Sequence, residues 1–302
     1  MTDIRSVTSG TQTPASTIKK STSVSKEATD TATPPTKEPK HTQPVTSRIH
    51  NWFAQAGVNA KKNEGFERDI HKKTERRRVI SEQRKLQNLE NVMEKALEFC
   101  PDSETAESID PDWFFSFVNM AEDIYSSTMQ EIWGKIFAVE VSTPGTFSIR
   151  TLRTLKELTQ RDAKMFQAAV SMASRKKGEY SPKILYGYYQ KPSFMRFLKL
   201  HKNHQLNLAE FGLPYPDILS LMDAGLIYNS EIESGELSTH SRSEWRLGSS
   251  VIHLSPKRSS LFLNYYKFTP TGAELSKLVS SDINQHYVEK LKSFLSADFE
   301  VV

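Results

Sequence analysis

The residues best placed to do chemistry are cations interleaved with aromatic rings. Between Arg175 and His204, Arg175, Lys176, Lys177, Lys183, Lys191, Arg196, Lys199 and Lys202 stand against one acid, Glu179. Tyr180, Tyr186, Tyr188, Tyr189, Phe194 and Phe197 are threaded among them. Ammonium and guanidinium groups neutralise phosphates, and rings stack on unpaired bases, so this combination suits single-stranded or loop nucleic acid. The competing reading is a solvated charged face over a tyrosine-rich strand and helix packed on a core. A second basic run, Lys72, Lys73, Arg76, Arg77 and Arg78 with Arg84 and Lys85, is diluted by Glu67, Asp69, Glu75 and Glu82. Glu75 and Arg78 stand three apart, a pairing that stabilises an exposed helix, so this run reads mainly as a solvated helix surface.

Other reactive groups point to structure rather than catalysis. Glu140 falls on the apolar side of its helix with Met129, Trp133 and Phe137, and a buried carboxylate needs a partner. Arg150 and Arg153, across the Pro144-Gly145 turn, are the expected ion-pair partners that would lock the helix hairpin. His201 and His204 have a spacing that suits metal on a helix face, but no third ligand is near, and a closed zinc site needs four. Cys100 lies on an apolar stripe and reads as a core thiol. GxGxxG, P-loop, HExxH and GxSxG motifs are absent from the sequence. A non-enzymatic protein is expected, with no metal and no cofactor.

Helices must position these groups. Asp110-Pro111 reads as an N-cap with proline at the first helical position. Trp113, Phe114, Phe117, Val118, Ala121, Ile124 and Tyr125 then line one side. Ser126 or Ser127 starts the next helix, with Met129, Trp133, Ile136, Phe137 and Val141 inward; Pro144-Gly145 breaks it. Ser148 caps a third helix carrying Ile149, Leu152 and Leu155, and Thr159 with Asp162 forms a capping box for a fourth. Connections this short make a compact bundle. Before it, Ile49, Trp52, Phe53 and Ala56 suggest a short helix docked on the bundle. One long helix from about Phe66 to Cys100 should project its polar first half. Its second half should pack through Val79, Leu86, Leu89, Met93, Leu97 and Cys100. An intermolecular coiled coil through it stays open, because the stripe is brief.

After residue 205 the pattern mixes short helices, at 206–211 and 217–224, with strands. Gly225 is a natural C′ residue, and Leu226 starts a strand. Runs at 244–247, 251–254 and 261–268 read as further strands. Thr269-Pro270 opens a helix through Leu278, and Ile283, Tyr287, Leu291 and Phe294 face inward from a last one. The order helix, AGLIY, strands, YKFTPTGAEL looks like a winged helix-turn-helix module, although the strand region exceeds a typical wing.

The runs MQEIWGKIFAVEV, PGTFSIRTL and LTQRDAKMF together resemble an uncharacterised bacterial family known only as a domain of unknown function. A looser likeness is to helical proteins of abortive phage infection. The sequence departs from the family pattern at Gly134, where alanine is commoner, and in its long N-terminal tail. The resemblance implies a bacterial cytosolic setting and transfers no catalytic residue.

Residues 1–47, rich in Ser, Thr, Lys and Pro and free of aromatics, read as a disordered tail. Residues 48–175 read as the helical bundle and 176–302 as an α+β winged-helix-like module, giving a mainly α protein with a smaller α+β part. There is no apolar leader and no transmembrane segment. With one cysteine, no disulfide framework forms and a cytoplasmic location is expected. The net charge of +4 is segregated, an acidic stretch at 89–163 lying between basic stretches at 48–88 and 164–204. Nucleic acid is the leading partner class. A protein partner, reached through exposed apolar residues such as Phe115 and by family analogy serving phage defence, and a homo-oligomer stay open.

Overall fold

A computed structural model of the chain describes residues 44–58, 66–100, 108–191, 204–279 and 282–302. Most of the tail read from the sequence lies outside them. Helix α1, Val45–Gln55, buries none of its residues. Ile49, Trp52 and Phe53, expected to dock, are exposed.

The local signals for the helices hold. Helices α2 (Phe66–Glu98), α3 (Pro111–Ala121), α4 (Ser127–Ser142), α5 (Ile149–Glu157) and α6 (Gln160–Ser171) follow in order. Asp110, Ser126, Ser148 and Thr159 cap α3 to α6, each side chain accepting a bond from a first-turn amide. Thr159 and Asp162 close a reciprocal capping box. The turn after α4 needs Gly145, whose φ is +81°. Inside, Trp113 stacks on both Phe117 and Phe137, and the fully buried Trp133 sits 5.2 Å from Phe117. The Trp113 indole N–H donates to the Phe147 carbonyl at 2.7 Å.

Helix α2 corrects the expected stripe. It packs on α4 through Asn88, Val92 and Ala96, with Leu89 half-buried beside them. The Gln130 amide bridges from α4 to the Asn88 side chain. Val79, Leu86, Met93, Leu97 and Cys100 face out and are exposed. Gly134 lets the two helices approach. A Cβ there would lie 2.6 Å from the Lys95 Cβ and 2.8 Å from the Ala96 nitrogen. The glycine that departs from the family pattern is therefore the residue that this packing requires.

The rest is built on two antiparallel four-stranded sheets. Strands β1 (Arg175–Lys176), β2 (Lys183–Gln190), β3 (His204–Gln205), β4 (Ile232–Glu233), β5 (Ser243–Leu247), β6 (Ser250–Pro256), β7 (Leu261–Lys267) and β8 (Phe299–Val301) assemble in the orders β1-β5-β6-β8 and β3-β2-β7-β4. A 3-10 turn, Leu208–Phe211, and helices α7 (Tyr215–Asp223), α8 (Pro270–Leu275) and α9 (Gln285–Leu295) surround them. Leu226 does not open a strand, because Ile227 makes only a single bridge to Phe268. One apolar cluster runs from Val92 to Phe299 through helices and sheets alike. The Tyr287 hydroxyl on α9 ties into it by donating to the Leu185 carbonyl at 2.6 Å. Among the described residues no helix is long and apolar enough to cross a membrane.

Candidate anion-binding site

Helix α6 hands its chain to β1 through Ser174, whose amide and hydroxyl both donate to the Lys183 carbonyl. Strand β1 then pairs with β5 so that Arg175 stands opposite Arg246 and Lys176 opposite Trp245. The Lys177 amide continues the ladder to the Glu244 carbonyl at 3.0 Å. Because side chains alternate between faces, Arg175, Lys177, Glu244 and Arg246 share one face, while Lys176 follows the buried Trp245.

That shared face lines a cleft of about 520 Å³ with Lys176, Glu179 and the apolar side chains of Val170, Ala173 and Pro182. Its charges are unevenly matched. Lys177 pairs with Glu244 at 2.8 Å. That bond and the lysine's charge hold the Glu244 carboxyl below the usual range. Arg175 and Arg246 are exposed, and among the described residues neither makes an ion pair within 4.0 Å or a side-chain hydrogen bond, although the Arg246 charge also helps to hold Glu244 ionised. Like charges directly across a ladder destabilise it, and an anion held by both guanidiniums would relieve that repulsion.

The structure brings only part of the expected basic segment here. Lys183 is a correction: its side chain is 4% exposed and ion-paired with Glu179. Its ammonium lies 4.4 Å from the Tyr265 ring centre and 5.5 Å from that of Trp245. It sits where a phosphate cannot reach. Burial opposes ionisation of Glu179, but Lys183 outweighs it and the carboxyl stays below its ordinary range. Lys176 is 3.7 Å from the same carboxylate. Lys191 is exposed but follows the far end of β2, roughly 25 Å along the strand. Arg196, Lys199 and Lys202 lie outside the described residues, as do Phe194, Phe197 and His201.

The tyrosines are another correction. Tyr186 stacks on Tyr266 at 4.8 Å, Tyr188 on His204 at 5.0 Å and Tyr189 on Phe262 at 5.1 Å. Their hydroxyls donate to Glu231, Asp298 and Glu233. Desolvation, aided by these carboxylate partners, pushes Tyr188 and Tyr189 up to about 12 and raises Tyr186 further. These rings hold the sheet together instead of offering faces to bases. Tyr180 alone of the four is exposed, and the Lys277 ammonium lies 5.4 Å from its ring. Arg246 escaped the sequence reading. The signal was present in WRLGSSVIHL, where buried Trp245 and Leu247 bracket it before a glycine turn.

Elsewhere, residues 71–79 of α2 are all exposed, and Arg78 pairs with Glu75 at 2.8 Å, as a solvated helix would. Lys85 pairs with Glu122; the side chains of Glu67 and Asp69 lie outside the description. Glu140 is buried as expected, but not by an ion pair. Its two oxygens accept from the Gly145 amide at 2.6 Å and the Phe147 amide at 2.9 Å. Arg150 and Arg153 are exposed on α5 and do not reach it. The turn's own amides occupy the carboxylate before any arginine can. Cys100, expected in the core, is exposed.

Residues 72–292 match the family described as protein of unknown function (DUF2806), and the chain belongs to that family. No curated protein and no solved structure matches it.

Proposed function

We propose that this member of the DUF2806 family is a non-enzymatic bacterial cytosolic protein that binds nucleic acid through its phosphates at the β1–β5 cleft. The observation that carries the reading is the facing pair Arg175 and Arg246 at a cleft, neither of them in an ion pair within 4.0 Å among the described residues. Lys177 stands beside them on that face, shared with Glu244, while Lys176 belongs to the other face of β1 and is shared with Glu179. Guanidinium forks grip phosphate oxygens bidentately, so the pair suits two successive phosphates of a flexible strand better than a single small anion. A winged-helix mode of binding is not part of this proposal. The helix that would enter the groove, α7, carries Asp217 and Asp223 and no lysine or arginine. With Tyr186, Tyr188 and Tyr189 occupied internally, affinity rests on charge, and sequence preference should be weak.

The test is fluorescence anisotropy of labelled single-stranded and duplex oligonucleotides with the full chain and with the double variant Arg175→Glu/Arg246→Glu. The reading expects saturable binding at low salt that weakens at least tenfold in the variant. Equal binding by the variant, or none by either protein, rejects it. A protein-binding role remains the second reading, favoured by one observation: Phe115 on α3 is 63% exposed.

A further inference from the structure

Helix α2 has two apolar stripes, and among the described residues only one is covered. The inner stripe, Asn88, Val92 and Ala96, is seated on α4. On the outer side Val79, Leu86 and Met93 recur every seven residues and Leu97 extends the face, with exposures of 43%, 60%, 57% and 68%. A helix resting on its own core needs one stripe, and a seven-residue repeat is the spacing of a helix that runs beside another helix.

The charges beside the outer stripe say which helix fits. Lys72 and Arg76 continue this face towards the start of α2, on the same seven-residue series as Val79 and Leu97, and Glu90 and Glu94 lie on the same side in the second half. All four are exposed. Lys72 stands five turns before Glu90, and Arg76 five turns before Glu94. A copy of α2 laid antiparallel therefore sets each basic pair against the acidic pair of the other, whereas a parallel copy sets like on like. The pairing is self-complementary under a twofold axis.

We propose that the outer face of α2 is an interface with a second copy of this chain, the two α2 helices packing antiparallel through Val79, Leu86, Met93 and Leu97. The interface leaves the β1–β5 cleft untouched and stands independently of the nucleic-acid reading.

Sedimentation equilibrium of the full chain should show a dimer, and Leu86→Asp/Met93→Asp should sediment as a monomer with an unchanged circular dichroism spectrum, since both side chains are on the surface. Arg76→Glu should weaken dimerisation several-fold, and adding Glu90→Arg to it should restore it. For orientation, a spin label at His71→Cys in a Cys100→Ser background should report an inter-copy distance of about 40 Å for the antiparallel pair. A wild-type monomer at every concentration overturns the proposal. So does a dimer indifferent to the Leu86 and Met93 changes, or a label distance under about 20 Å.

Discussion

The helical segment from Pro111 to Ser171 and the sheet segment from Arg175 onward place their polar groups by different means. In the helices, polar groups close on near neighbours: Asp110, Ser126, Ser148 and Thr159 cap within three residues, and Glu140 binds amides five and seven positions away. In the sheets, partners come from far along the chain. Tyr188 finds Asp298, Lys177 finds Glu244, and Arg175 faces Arg246. The lesson is that caps and tight turns satisfy their polar groups within the segment, while long-range register can set two like charges opposite each other.

Removing Glu140 would break the helical side of this contrast most severely. Glu140→Ala strands the buried Phe147 amide and frees the α4–α5 turn, so thermal or denaturant unfolding should show a loss of about 3 kcal/mol. If an ion pair to Arg150 or Arg153 mattered instead, those arginines' alanine variants would show a comparable loss; they should be neutral.

Gly134→Ala comes next. Its new methyl meets α2 backbone, which cannot rotate away, and overpacking should cost about 2 kcal/mol in the same measurement.

Lys183→Met sharpens the distinction between a structural and a binding cation. Its loss leaves Glu179 to Lys176 alone; because Glu179 is partly exposed, the cost should be about 1.5 kcal/mol. Oligonucleotide affinity should stay unchanged, whereas reversing Arg246 should lower affinity without lowering stability, since it relieves the repulsion with Arg175.

The smallest effect is on pH. Tyr188 and Tyr189 titrate near 12 when folded and near 10 when unfolded. The unfolded chain gives up these protons first, so their stabilising contribution is complete below pH 10 and disappears as pH rises towards 12. Ultraviolet titration should show the Tyr188 and Tyr189 phenolates appearing only as the pH approaches about 12.

How much of this was legible follows the same division. Caps, the Pro144-Gly145 break and the hairpin strands, read as 244–247 and 251–254 and observed as Ser243–Leu247 and Ser250–Pro256, are local patterns that were readable to within a residue or two. The outer stripe of α2 was readable as a stripe, but not which side of the helix meets the core. Val79-Leu86-Met93 and Asn88-Val92-Ala96 both recur at helical intervals, and the close approach that Gly134 permits decides between them. Glu140 was rightly placed inside, yet its partners were sought among charges when backbone amides were nearer. At the candidate site, Arg175, Lys176 and Lys177 were legible as a cluster. Arg246 was not, because only the β1–β5 register brings residues 71 positions apart face to face.

The central claim is that Arg175 and Arg246 meet phosphate together. It is tested most directly by the salt dependence of oligonucleotide binding. Plotted as log affinity against log salt, the wild-type chain should give a steep negative slope, and Arg175→Gln/Arg246→Gln should flatten it by about two phosphate contacts while Lys183→Met leaves it alone. A slope identical in wild type and the Arg175→Gln/Arg246→Gln variant would contradict the account.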